Sequence, residues 1–566
     1  MASYCLYLAF IFAGLFSSGH SQEDTIEAET PLGKLLGRVN ASIGGRNYYS
    51  FTGVPFAIAP LEELRFQPPV PVEPWQGVYD ATQMPAKCIQ PLLLGADATE
   101  PLILGVEDCL ILNIYSPKEP NTGANDLPVL VWIHGGGYTM GGSEPLIYSP
   151  GYIMDRDVVL VTINYRLGAL GFLSTEDPVA PGNYGMLDQV LALQFVRDNI
   201  APFGGNPDKV TIFGESAGSE SVHLLMLSPR AQGLFRYAIS QSGTAIAPWT
   251  INEKSKEEAE TLAQMAGCPT DSSENMLSCL RTVDAEILVL SSFGSWELGS
   301  SSLAFAPRVD VEAGAPFLPA NPLDILQSGD YTAIPWMTGV NREEGLLLVY
   351  PALRKKELFT EIDQKWNEVY CPLFLYLEGP EVKNVRVTCE AIRSKYFKEL
   401  PINMDSISDL IRVMSDRLFF LSTLKSAQLH SRRAPTYVYK LEYEGKIGLM
   451  DIQLAEDLAD GMLKPHGVCH FDEIPFLFDI QLFPPIQDGS NDAVVRNRFL
   501  DLWMNFTYNG SPTQNPLENE PHWFPYTEAD DRHYVIDVYP RLARDLVNSD
   551  VIEFWESLLT QDALIK

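Results

Sequence analysis

Positive charge is scarce in this 566-residue chain: 40 Lys and Arg stand against 73 Asp and Glu, for a net charge of −33. Phosphate backbones are gripped through basic patches, so the composition argues against nucleic acid as a partner. The acidity reads as a solubility feature, with a field that steers cationic ligands as the alternative. Long apolar runs are also missing. The run from Leu6 to Phe16 is too short to span a bilayer, and no later stretch reaches 18 apolar residues. No transmembrane helix is therefore expected. The C-terminal stretch SLLTQDALIK carries neither a KDEL-like address nor a lipid-anchor tail. Internal repeats, low-complexity tracts and obvious linkers are absent. No G-K-[ST] follows the chain's glycine run, which leaves a phosphate-binding loop poorly supported.

What is present begins with that short apolar run. Small residues and then Gln22-Glu23-Asp24 follow it, the pattern of a secretory signal cleaved near Ser21. Residues 22–566 are then expected to form one domain, outside the cell and without a membrane anchor. Cysteine usage agrees with an oxidising compartment. Of eight cysteines, Cys5 leaves with the signal. Six others fall into sequence-local pairs, Cys88/Cys109, Cys268/Cys279 and Cys371/Cys389. Fifteen connectivities are formally open to six cysteines, and the pairing expected here rests on proximity alone. Cys469 is left over. Three sequons, at Asn40, Asn505 and Asn509, are candidate glycan acceptors, with Asn40 and Asn509 in turn-like contexts.

Short runs rich in Val and Ile recur between turn signals: Val129–Ile133, Val158–Ile163, Val210–Phe213 and Tyr237–Ile239. They lack polar alternation, so they read as strands buried on both faces. Helical patterns such as Met186–Ile200 lie between them. Strands alternating with helices imply a doubly wound, mostly parallel α/β sheet with helices on both faces. Beyond about Gly345 the pattern turns more helical, predicting large helical excursions. Asp545–Leu559 predicts a docked C-terminal helix.

Gly214-Glu215-Ser216-Ala217-Gly218 stands where one of these strands becomes a helix. In G-x-S-x-G the serine sits on a strained turn, and side chains at the flanking positions would collide with neighbouring chain. A nucleophilic serine needs a base to take its proton and backbone N–H donors for the oxyanion. The loop His134-Gly135-Gly136-Gly137-Tyr138 follows the strand VLVWI and leaves such donors unobstructed. The N–H groups of Gly136, Gly137 and Ala217 are the ones expected in that role. Spacing alone does not separate His466 from His470 as the base, or Glu343 from Glu344 as the acid.

Together with Glu107-Asp108-Cys109-Leu110 and Asn113, these motifs resemble those of type-B carboxylesterases, an α/β-hydrolase family that includes the cholinesterases. Phe51–Ala57, Asn164-Tyr165-Arg166 and Gly182–Gly185 extend the match over nearly the whole mature chain. The look is closest to secreted arthropod carboxylesterases. The resemblance implies hydrolysis of small carboxylic esters by water, without cofactor or metal. It selects His470 as the base and Glu344 as the acid, completing a triad with Ser216, and leaves Glu343 to solvent. It also suggests that Ser242 supports the histidine. Trp249 is a candidate wall of the acyl pocket, and Glu215 is placed to order water or face a bound cation. Cholinesterases carry a tryptophan in the first disulfide loop, whereas residues 88–109 hold no aromatic at all. That departure speaks against choline-ester specificity. Juvenile hormone esterases usually carry Gln where this chain has Glu215. Two rivals remain: a stoichiometric scavenger of esters or organophosphates, and a non-catalytic neuroligin-like adhesion protein. The latter relatives lose the nucleophile.

Overall fold

The structure is a computed structural model that describes residues 24–92, 102–292, 304–377, 382, 384–398, 400–446, 448–450, 467–513 and 520–559. The expected signal, Cys5 and His466 fall outside the described residues. A thirteen-stranded mixed sheet runs through the molecule. Eight of its strands matter for the site: β1 (Ile111–Ser116), β2 (Leu127–Ile133), β3 (Val159–Ile163), β4 (Gly205–Glu215), β5 (Tyr237–Gln241), β6 (Trp336–Asn341), β7 (Thr436–Leu441) and β8 (His533–Ile536). Their spatial order is β1-β3-β2-β4-β5-β6-β7-β8. β1 pairs antiparallel with β3, and every later neighbour in that order pairs parallel. An antiparallel meander of Thr25–Thr30, Gly33–Ala41 and Asn47–Pro55 extends the β1 edge, and Arg541–Ala543 closes the other.

β2 explains why the doubly wound expectation holds. All seven of its residues are buried. Val129, Val131 and Ile133 face one apolar layer, while Leu130 and Trp132 face the opposite one. The first layer is shared with helices α1 (Tyr184–Asn199) and α2 (Ala217–Leu227), the second with α3 (Asn491–Asn509). Each large apolar side chain so buried contributes roughly 2 kcal/mol. A third apolar cluster joins the helical region from about Leu346 onward to the C-terminal helix α4 (Ser549–Leu558) through Val551 and Trp555.

Strand boundaries differ from expectation for local reasons. β6 begins at Trp336, directly after Pro335, which has no N–H to give the ladder. α4 starts at Ser549, after Asp545 in a left-handed turn (φ 56°). The three disulfides are Cys88–Cys109, Cys268–Cys279 and Cys371–Cys389, the pairs that proximity suggested. Cys469 lies buried outside them. No helix among the described residues is long and apolar enough to cross a membrane.

Candidate active site

Parallel register brings the strand ends level. Gly214 pairs with Ile133, Glu215 with Gln241, Gln241 with Gly339, and Asn341 with Leu441. The loops leaving β2, β4, β5 and β6 therefore meet at one edge, the place where open α/β sheets hold their sites.

Ser216 stands between β4 and α2 at φ 58° and ψ −127°. A non-glycine residue there costs of order 1–3 kcal/mol and needs surroundings that impose it. Those surroundings are visible. The Ser216 N–H donates to the Gln241 carbonyl at 2.9 Å, and the Ser216 carbonyl accepts from the Glu220 N–H at 3.0 Å. Close packing of the flanks forces them to be glycine. A Cβ on Gly214 would lie 2.6 Å from the Ile133 carbonyl oxygen, one on Gly135 2.6 Å from the Glu215 carbonyl, and one on Gly243 2.7 Å from the Ser216 carbonyl. A Cβ on Gly218, the flank beyond the serine, would meet the Ile133 carbonyl oxygen and lie 2.8 Å from the His134 carbonyl oxygen, so the expected collision is present on both sides.

The glycine loop leaves β2 beside this turn. Gly136 and Gly137 adopt φ of 102° and 61°, which turns the backbone sharply. Ala217 opens α2, so its N–H is among those that a helix leaves without an internal partner. His134 is packed beneath, its ring stacked on Tyr165 at 4.4 Å between centroids. Burial holds its pKa down at about 4, so it is neutral and structural.

His470 is buried, with Nδ1 2.7 Å from Glu344 Oε2. The second Glu344 oxygen, Oε1, accepts the Asn341 N–H at 2.7 Å. Glu344 is thereby fixed at the end of β6 and aimed at the imidazole. The other ring nitrogen, Nε2, lies 3.0 Å from Glu215 Oε1. The Ser216 hydroxyl makes no hydrogen bond among the described residues. Burial alone would lower the imidazole pKa, but the Glu215 and Glu344 carboxylates outweigh it and hold it well above its usual value. The Phe419 ring sits 5.0 Å from the imidazole, and Trp249 lies 6.0 Å from Phe419.

Several expectations need correction. Glu343 is not left to solvent: it accepts the Val468 N–H at 2.6 Å and pairs with Arg342. Among the described residues the buried Ser242 hydroxyl has no hydrogen-bond partner, so it makes no bond to His470. Asn40 lies within the strand Gly33–Ala41, not in a turn, and its amide donates to Ser50 Oγ at 2.8 Å. Asn505 lies inside α3, where the Thr507 hydroxyl of its sequon is spent on the Trp503 carbonyl. Asn509, the last residue of α3, is exposed.

Sequence reasoning missed two further buried acids. Glu473 sits between Asn341 Nδ2 at 2.6 Å and Gln241 Nε2 at 3.3 Å, and burial with the charges of Glu215 and Glu344 pushes its pKa up to about 8. Glu220 accepts from Thr250 Oγ1 at 2.7 Å and Tyr138 OH at 3.1 Å, and burial raises it well above the usual range. Nothing in an isolated sequence marks a glutamate as buried. Phe419 was missed as well; it rides a π-helical turn, Asp416–Phe420, for which the sequence has no signal.

A strained serine, a carboxylate-held histidine and a glycine loop meet at one sheet edge, in a fold of the α/β-hydrolase type. The family description "Carboxylesterase family" matches residues 24–555. A carboxylic ester hydrolase of Bombus ignitus is 34% identical over 513 residues, 90% of each chain. Esterase FE4 of Myzus persicae is 35% identical over 92% of this chain and 90% of its own. A juvenile hormone esterase of Tribolium castaneum is 36% identical over 87% and 84%. The chain belongs to the carboxylesterase family, and it is a carboxylic ester hydrolase.

Proposed function

We propose that Ser216, His470 and Glu344 form the catalytic triad of a secreted serine esterase. The observation that carries this reading is the 2.7 Å contact of Glu344 Oε2 with His470 Nδ1, at the same sheet edge as the strained Ser216 turn. Glu344 keeps the Nδ1 proton in place, so a neutral His470 presents Nε2 as the basic atom. For catalysis Nε2 turns from Glu215 to the Ser216 hydroxyl and takes its proton as the oxygen attacks the ester carbonyl. The N–H groups of Gly136, Gly137 and Ala217 hold the oxyanion. Losing one such donor costs about 3 kcal/mol of transition-state stabilisation. His470 then gives its proton to the departing alkoxide, and the alcohol leaves. Water, deprotonated by the same nitrogen, attacks the acyl-enzyme and frees the acid. Phe419 and Trp249 wall the acyl side.

In this reading residues 1–21 are a cleaved secretory signal, 22–566 are a single catalytic domain, and Asn509 is the best-exposed glycan acceptor. Stopped-flow hydrolysis of p-nitrophenyl butyrate tests the catalytic part. A burst followed by continuing turnover supports the esterase. A burst near one equivalent that then stalls supports a scavenger, because the two differ in deacylation alone.

A further inference from the structure

The first disulfide loop lacks the aromatic residue that would stack on a cationic substrate, yet its second residue reaches the far end of the glycine loop. Gln90 is two positions beyond Cys88 and is buried. Its amide grips Gly141 at both backbone groups. Nε2 donates to the Gly141 carbonyl at 2.6 Å, and Oε1 accepts the Gly141 N–H at 2.9 Å. The second Nε2 proton goes to the Cys88 carbonyl at 2.8 Å. Both donors and the acceptor of the amide are thus used, which fixes its orientation.

Gly141 is where the glycine loop ends. The Gly136 carbonyl accepts N–H groups from Thr139 and Met140, both at 3.1 Å, so residues 136–140 close as one tight turn. The near end of that turn is held by β2 and by the packing of Gly135 against Ser216. Its far end is held at Gly141 by Gln90. Two residues on, Asn164 Oδ1 accepts the Ser143 N–H at 2.9 Å and Asn113 Nδ2 donates to the Ser143 carbonyl at 2.8 Å. Those asparagines anchor the chain after the turn whether or not Gln90 is present.

We infer that Gln90 is a positioning residue for the oxyanion donors: the disulfide-tethered strand clamps the far end of the glycine loop and sets where the Gly136 and Gly137 N–H groups point. The inference rests on the oxyanion role proposed above for those groups. Gln90 touches no reacting atom, so its effect is confined to the state in which the oxyanion exists. A misplacement of about 1 Å in such a group costs up to roughly 10²-fold in rate.

The test is Gln90→Met, which keeps the length and loses the hydrogen bonds, with Gln90→Asn as a second variant that keeps the amide but shortens its reach. Rates are expressed per site titrated with an organophosphate, so misfolded protein does not count. Expected for Gln90→Met is a kcat lower by about 10- to 100-fold with KM nearly unchanged, the signature of an interaction made in the transition state. Affinity for a trifluoromethyl ketone, whose serine adduct carries the same oxyanion, falls by a matching factor. Gln90→Asn falls between. A kcat per titrated site within about twofold of wild type in both variants overturns the inference, as does a KM rise with kcat unchanged. Ser216→Ala separates the two readings: activity retained in that variant overturns the triad itself, whereas a silent Gln90 beside an inactive Ser216→Ala overturns only the clamp.

Discussion

Gly218→Ala probes the packing that holds Ser216. The new methyl would land against the Ile133 carbonyl oxygen, with the His134 carbonyl carbon and oxygen both at 2.8 Å. These are backbone atoms at the end of β2, so nothing flexible moves aside. Restoring an ordinary contact of about 3.5 Å requires the first turn of α2 to retreat by roughly 1 Å. Overpacking of this kind costs about 1–3 kcal/mol of stability. The larger effect falls on catalysis, because the same turn carries Ser216 and the Ala217 N–H. A shift of that size predicts a loss of about 10²-fold in kcat/KM. The melting temperature falls by only a few degrees in a chain this long. Gly314→Ala is the control, since a Cβ there meets nothing within 4 Å. The assay is steady-state p-nitrophenyl butyrate hydrolysis per titrated site, alongside thermal melting. A Gly218→Ala enzyme with kcat/KM within about threefold of wild type would refute the packing argument.

Two further predictions concern charge. His470 works as a base only when neutral, so activity rises with pH through its elevated pKa. Glu215→Gln removes the carboxylate beside Nε2 and shifts the acid limb of kcat/KM to lower pH by at least about one unit; an unmoved limb would contradict the assignment of that limb to His470. Glu473 is an acid whose folded pKa of about 8 lies above its ordinary value of 4.5. Its stabilising contribution is intact below that lower value and is lost as pH rises through the folded one, by up to roughly 5 kcal/mol. Glu473→Gln escapes that loss, so its melting temperature relative to wild type rises between about pH 5 and pH 8 and levels off above that. A difference that stays constant over that window would show that Glu473 does not titrate as described.

The parts of the site legible in the sequence are those written in contiguous residues. VLVWI reads as a doubly buried strand because both of its faces are apolar, and the layers on either side of β2 follow from that. The turn at Ser216 is legible because its steric demand selects two glycines. Glu344 and His470 were separated from their neighbours by family motif, not by spacing, and Glu343 was misjudged because its partner Val468 lies 125 positions away. The proximity of Glu215 to His470 joins residues 255 positions apart, and the partners of Glu220 (Tyr138 and Thr250) and of Glu473 (Gln241 and Asn341) are likewise distant in the chain. Gln90 was hidden for the same reason: its partner Gly141 is 51 residues on, and nothing local distinguishes it from a surface glutamine.

The proposed triad makes Ser216 the nucleophile and His470 its base. Incubation with a fluorophosphonate, followed by peptide mapping of the adduct, tests it most directly. The expected result is one phosphonyl group per chain, on Ser216, with labelling abolished in Ser216→Ala and slowed by about 10³-fold in His470→Ala. A label elsewhere, or undiminished labelling in Ser216→Ala, would contradict it.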